Sequence, residues 1–265
     1  MAKKNIFTDA FGNLYFLKRL IIFILGIVSY RRFNGFNKLK ISGAENLVDL
    51  PDCNVLFVSN HQTYFADVAA MYQAFCAVNN GYLNSIKNPI YLLNPKVDIY
   101  YVAAEETMNK GFMTKIFKLA GAVTVKRTWR AEGQNVNRIV DLSEVENIMK
   151  ALDNGWVITF PQGTTSAFAQ GRKGTAKLVK NQKPIVIPIK INGFRRAFDK
   201  KGLRVKVTGV KPTMEFKPPL DIDYDNDNAQ TIMHKIMVAI EQTEDFNVLH
   251  DYDEERKAQK TDLKN

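Results

Sequence analysis

The sequence predicts an α/β fold: a mainly parallel sheet flanked by helices, preceded by an N-terminal helical segment. Three observations lead there. Short β-branched or aliphatic runs recur along the chain, and segments of helical periodicity separate them. The runs NVLFVS (54–59), WVITF (156–160) and IVIPIKI (185–191) carry almost no polar residue, as strands buried on both faces do. Alternation of strand and helix is the pattern of βαβ units.

Taken in order, Asn54–Ser59 reads as a buried strand and 66–78 as the helix after it. Tyr100–Ala103 is a further strand. Lys110–Ala120 is amphipathic, with Phe112, Ile116, Phe117 and Ala120 at helical spacing. Ala122–Val125 is strand-like, 144–153 helical, and a helix carrying Leu178 and Val179 separates strands 156–160 and 185–191. Residues 203–209 and 213–217 suggest a late pair of strands. Ile232, Met233, Ile236, Met237 and Ile240 mark a helix over 229–243, with core packing the ordinary role of such a stripe. The loop 79–95 is rich in Asn yet holds Tyr82, Leu83, Ile86, Ile90 and Tyr91, so it reads either as an ordered lid or as a membrane contact.

The chain has 265 residues, enough for one large domain, and 46% are hydrophobic. Its cysteines, Cys53 and Cys76, form no CxxC and have no histidine beside them. That excludes a disulfide framework and a zinc site, and predicts buried thiols in a reducing cytoplasm. The net charge is +10, and residues 171–217 hold fourteen Lys or Arg against Asp199 and Glu215. An anionic partner is expected. Anionic lipid, a CoA nucleotide, an acidic acyl carrier protein and nucleic acid all suit such a stretch, as does a plain solvated face. No nucleic-acid-binding module is present, and the aromatics are not interleaved with the basic stretch, so no nucleic-acid partner is expected.

Residues 20–30 (LIIFILGIVSY) form an apolar run of eleven between Lys18-Arg19 and Arg31-Arg32. A span needs ~20 apolar residues, and a secretory signal would not be followed by two arginines. Phe7, Phe11, Leu14, Tyr15 and Leu17 extend the apolar surface. A helix or helical hairpin lying in the membrane interface accounts for this, with its cations at the headgroups. The alternatives are a plain core helix and a tilted span. The polar residues 249–265 read as a disordered tail. The organisation expected is therefore 1–36 membrane-associating, 37–248 a single domain, and 249–265 tail.

Of the three histidines, His234 sits in the C-terminal amphipathic helix and His250 in the tail, neither with an obvious partner. His61 directly follows a buried strand, in Ser59-Asn60-His61-Gln62-Thr63, where open α/β sheets place their sites. Asp67 comes six residues later, near the start of the next helix. An imidazole held by a carboxylate at one nitrogen keeps the other free to take a proton. A second strand end carries Phe160-Pro161-Gln162-Gly163-Thr164-Thr165-Ser166, whose Gly and hydroxyls offer backbone N–H groups and a polar lip to an anion. A third is Gly121–Arg127, a strand delivering cations at its end, and a fourth is the strand framed by Pro184 and Pro188.

In this order the four segments resemble the four blocks of the glycerolipid acyltransferases, the 1-acylglycerol-3-phosphate acyltransferase family. Residues His61 and Asp67, Gly121 and Arg127, Phe160, Pro161, Gly163, Thr164 and Ser166, and Pro184 and Pro188 carry the resemblance. It covers about residues 40 to 220, and VAAEETMNKGF (102–112) resembles the segment before the second block. It implies acyl transfer from an acyl-CoA or acyl carrier protein thioester to a lipid hydroxyl, with no cofactor and no metal. It further implies His61 and Asp67 as catalytic pair, and Arg127, Gln162, Gly163, Thr164 and Thr165 toward substrate. The Gly163-Thr164 turn would stabilise the oxyanion. The cytoplasmic face of the membrane is the place of action implied.

The departures bear on chemistry. Five residues separate His61 from Asp67 where the family has four, and one helical residue rotates a side chain by about 100°. Gln162 stands for the family's Glu, Thr165 for its Arg, and Ala104 for a Lys. Lys126, Arg130, Arg172 or Lys173 compensate if the acceptor is lysophosphatidate. Otherwise the acceptor is a phosphate-free lyso-aminolipid of glycine, serine or ornithine type. The non-enzymatic alternative is a membrane-binding homologue that has lost catalysis.

Overall fold

The computed structural model describes residues 7–108, 112–126, 130–131, 134–135 and 142–247. The apolar runs pair into one seven-stranded sheet. Its strands are β1 (Lys40–Ser42), β2 (Val55–Ser59), β3 (Ile99–Ala104), β4 (Ala122–Val125), β7 (Trp156–Thr159), β8 (Ile185–Asn192) and β9 (Thr213–Phe216). They lie in the order β1-β9-β8-β2-β7-β3-β4, and every neighbouring pair is parallel except β8 with β9. A separate two-residue pairing joins β5 (Arg130–Ala131) to β6 (Gln134–Asn135). Parallel pairing puts the C-terminal ends of β2, β3, β4, β7 and β8 on one edge, and that edge carries the site.

The helices are α1 (Tyr15–Tyr30), α2 (Ala66–Asn79), α3 (Glu105–Met108), α4 (Phe112–Leu119), α5 (Leu142–Leu152), α6 (Lys173–Gln182), α7 (Phe194–Ala197) and α8 (Ala229–Ala239). Strand β2 is buried at every position. Its Val55 and Phe57 pack with Ile22 of α1 and Met71, Ala74 and Phe75 of α2. Its Leu56 and Val58 face the opposite layer, with Leu152 of α5, Val179 of α6 and Ile232 and Ile236 of α8. Residues buried from both sides need no polar face, which is why this strand reads as an unbroken apolar run. Asn228 caps α8, its side-chain oxygen accepting from the N–H groups of Gln230 and Thr231 at 2.9 and 3.0 Å.

The N-terminal segment forms one helix, followed by a π-helical turn at Arg31–Phe36. Residues 7–14 form a turn closed by a Thr8–Leu14 bridge, in place of the first arm of a hairpin. Helix α1 has two faces. Ile21, Ile22, Gly26 and Ser29 pack inward, and Gln73 of α2 donates to Gly26 O and Ser29 Oγ at 2.7 and 2.8 Å. Lys18 is buried with Asp9, Nζ to Oδ2 3.3 Å, and lies 4.2 Å from the Tyr100 ring centre. Burial pushes the Lys18 ammonium below its ordinary pKa, and the Asp9 charge opposes that shift. The outer face leaves Phe16, Leu17, Leu20, Ile24, Ile27 and Val28 exposed. Among the described residues no helix is long and apolar enough to cross a membrane.

Two expectations are corrected, one on residues 203–209 and one on the cysteines. Residues 203–209 are turns, touching strand geometry only at a Phe198–Val205 bridge. Gly202 and Gly209, both at φ +77°, bend the backbone at either end, and the N–H groups of Lys206 and Val207 turn to Ala197 O. Cys76 is buried, but Cys53 is exposed. The 79–95 loop contains a 3-10 helix, Pro89–Leu93, which buries Tyr91 and Leu92 while Ile90 and Leu93 stay exposed. The tail expected at 249–265 lies outside the described residues.

Candidate active site

The segment leaving β2 is fixed on both sides. Asn60 extends the β2–β8 pairing with its side chain, accepting from Ile191 N at 2.8 Å and donating to Ile191 O at 2.9 Å. Gln62 Oε1 accepts from Phe194 N at 2.9 Å, at the start of α7. Between them, His61 is left with its side chain 14% exposed at the strand end.

His61 Nδ1 lies 2.9 Å from Oδ2 of Asp67, whose side chain is fully buried. The same oxygen accepts from the N–H groups of Gln62 and Thr63 at 2.6 and 3.0 Å, and Oδ1 accepts from the Thr63 hydroxyl at 2.7 Å. With acceptor-only Asp67 at Nδ1, the proton of a neutral ring sits there and Nε2 is the free base. Phe160 stacks on the imidazole with ring centres 3.8 Å apart.

The extra residue between His61 and Asp67 is taken up before α2 begins. Tyr64 N and Phe65 N donate to Lys200 O and Lys201 O at 3.1 and 2.9 Å, which pairs both backbone donors of the lengthened turn. Gly202 permits that docking. A Cβ at this position would stand 2.5 Å from Ala66 N and 2.9 Å from Thr63 Oγ1.

His61 opens onto a cleft of about 500 Å³. Lys126 beyond β4 and Arg172, Lys173 and Lys177 around the start of α6 line it, with Phe160, Pro161 and Gly163. An apolar pocket of about 130 Å³ between α1, α2 and α4 shares Phe65, Val68 and Tyr101 with the cleft.

The sequence pattern of a family described as Acyltransferase matches residues 38–192. The chain belongs to the acyltransferase family. Its fold is similar to that of the solved 1-acyl-sn-glycerophosphate (LPA) acyltransferase, PlsC, from Thermotoga maritima. The TM-score is 0.51 at 17% identity, covering 84% of this chain and 78% of that one. No curated protein matches the sequence.

The other residues expected at the substrate are divided by the acyltransferase structure. Gly163, at φ +63°, lines the cleft, but its N–H already donates to Phe160 O at 2.9 Å. The Thr164 N–H has no acceptor among the described residues, so of the two donors expected it alone is uncommitted, although Thr164 itself does not line the cleft. Thr164 Oγ1 accepts from Ser166 N at 3.2 Å, and Thr165 presents its carbonyl to Arg195.

Gln162 does not line the cleft. It is 1% exposed, and its amide donates to Ala169 O and Gln242 Oε1 at 2.9 and 3.2 Å. Gln242 Oε1 also accepts from Phe168 N at 3.0 Å. Two acceptors face the Gln162 nitrogen. A glutamate there would bring an oxygen against both, which accounts for the departure from the family's Glu.

Arg127 lies outside the described residues. Lys177, Arg195, Gly202 and Gln242 were not singled out from the sequence. Arg195 had a signal: like His61, it follows a buried strand on the same edge.

Proposed function

We propose that this acyltransferase moves a fatty acyl group from an acyl-CoA or acyl carrier protein thioester to a lipid hydroxyl, working at the cytoplasmic face of a membrane. The observation that carries the reading is His61 Nε2, held as base by Asp67, at the mouth of a cleft that is cationic on one side and meets an apolar pocket on the other. His61 takes the proton of the acceptor hydroxyl as its oxygen attacks the thioester carbonyl carbon. The Thr164 N–H, left without a protein acceptor, is the donor assigned to the charge that develops on the carbonyl oxygen. The C–S bond then breaks, and the thiolate leaves with the proton held at Nε2. The apolar pocket suits part of an acyl chain.

Lys126, Arg172, Lys173 and Lys177 around the cleft favour an acceptor with a phosphate, most simply 1-acylglycerol-3-phosphate, giving phosphatidate. The exposed apolar stripe of α1 supports attachment as a peripheral or monotopic protein. In the deciding experiment, purified enzyme on anionic vesicles receives an acyl thioester with either lysophosphatidate or a lyso-aminolipid, and products are identified by mass spectrometry. Phosphatidate should form, and His61→Ala should abolish it while still binding the vesicles. Acylation of the phosphate-free acceptor alone overturns the choice of acceptor; full activity in His61→Ala overturns the mechanism.

A further inference from the structure

The two loops that flank the reacting centre come from different strands, β2 and β7, and meet through the stacking of Phe160 on the His61 ring. A residue from a third strand end ties them by hydrogen bonds. Arg195, in α7 after β8, donates from one guanidinium nitrogen to Thr165 O and to His61 O, the latter at 3.4 Å. Its own backbone N–H lies 3.4 Å from Gln62 Oε1, the oxygen that also accepts from Phe194 N. The base of the side chain is thus tied to the residue after His61, while its tip bridges His61 itself to the opposite wall. Burial lowers the guanidinium pKa and the charge of Asp67 raises it, which places Arg195 within the field of the dyad.

We propose that Arg195 is a positioning residue of the acyl-transfer site. It fixes the separation between the His61 loop and the Gly163–Thr165 loop, and with it the distance from the base at Nε2 to the N–H donor at Thr164. A planar guanidinium suits this task, because two N–H groups on one nitrogen diverge toward two acceptors in a fixed geometry. A displacement of ~1 Å between a base and an oxyanion donor costs on the order of a hundredfold in rate. The inference rests on the acyl-transfer reading of the site.

The test compares Arg195→Ala and Arg195→Lys with the unaltered enzyme, by steady-state kinetics and by proton NMR of the His61 Nδ1–H, assigned with His61→Ala. Positioning predicts that kcat falls about ten- to a hundredfold in Arg195→Ala, with KM for acceptor and thioester each within about twofold. It predicts partial recovery in Arg195→Lys, and faster solvent exchange of the Nδ1 proton in Arg195→Ala. A rise in acceptor KM at unchanged kcat overturns it, because Arg195 would then be touching substrate. Unchanged kinetics and exchange overturn it too. If Arg195→Ala does not fold, Arg195→Lys is read by the same criteria, with an intermediate loss of kcat expected. If the unaltered enzyme transfers no acyl group, the acyl-transfer reading fails, and the exchange of the Nδ1 proton alone decides whether Arg195 orders the loop.

Discussion

His61 Nδ1 and Asp67 Oδ2 lie 2.9 Å apart although their sequence spacing is one residue longer than the family's. The contact is made because the carboxylate folds back to gather the N–H groups of Gln62 and Thr63 as well as the ring. One buried side chain therefore sets the backbone of the turn, the ring's orientation and its tautomer together.

Asp67→Asn separates these roles. With its amide nitrogen in place of Oδ2, the variant sets a donor against the Gln62 and Thr63 N–H groups and makes Nδ1 of His61 the acceptor. The proton then sits at Nε2, where the base is needed. Acyl transfer should drop by ~10² to 10⁴, and urea unfolding should show a loss of about 1–3 kcal/mol from the donors left unpaired. A variant within tenfold of normal kcat would remove Asp67 from the mechanism.

Gln162→Glu restores the residue the family carries and is nonetheless expected to destabilise this chain. The new oxygen meets Ala169 O and Gln242 Oε1 without a proton to share. Thermal unfolding should register about 1–3 kcal/mol of lost stability, with a smaller fall in kcat as the 163–168 loop loosens. Gln162→Glu combined with Gln242→Lys should recover part of it.

Gly202→Ala tests how the long turn is docked. The residue sits at φ +77°, and the added methyl would collide with Ala66 N and Thr63 Oγ1. A cost of about 1–3 kcal/mol is expected from the backbone strain alone, with reduced acyl transfer because the turn carries His61. Unaltered stability and activity would show that the 198–206 loop does not brace the dyad.

Stability should also respond to acid through Glu241. Burial alone would raise its carboxyl pKa, but hydrogen bonds and charge from Lys190 and Lys217, the latter at 2.9 Å, outweigh that and hold it below the ordinary glutamate value. Between the lowered folded pKa and the ordinary unfolded one, the unfolded chain binds more protons, so stability rises with pH across that window. The contribution is complete above the unfolded pKa and is lost as pH falls through the folded one. Denaturant titrations of the unaltered chain and Glu241→Gln should therefore differ near neutrality and converge in acid.

The central strands were legible because burial on both faces writes itself as an unbroken apolar run. His61 was legible because it sits where such a run stops. Strand β1 was not, since Lys40–Ser42 is a three-residue edge with no buried position. Residues 203–209 alternate like a strand, but the glycines at 202 and 209 and the pull of Ala197 O turned them into a brace for the loop that carries His61. Gln162 carried a family position without the family's chemistry. What it needed to be read correctly was Gln242, eighty residues away, and no local pattern announces a partner at that distance.

That partner decides where the protein can be cut. The family's pattern ends at 192, yet the antiparallel strand that covers β8 and the glutamine that holds the 162–168 loop both come later in the chain. A fragment trimmed to the recognisable region would keep His61, Asp67 and the residues that line the cleft, but lose α7 with Arg195, the strand β9 that joins β1 to β8, and Gln242. Fragment boundaries for expression therefore belong beyond Gln242. The contact that holds the 162–168 loop lies some fifty residues beyond the stretch by which the family is recognised.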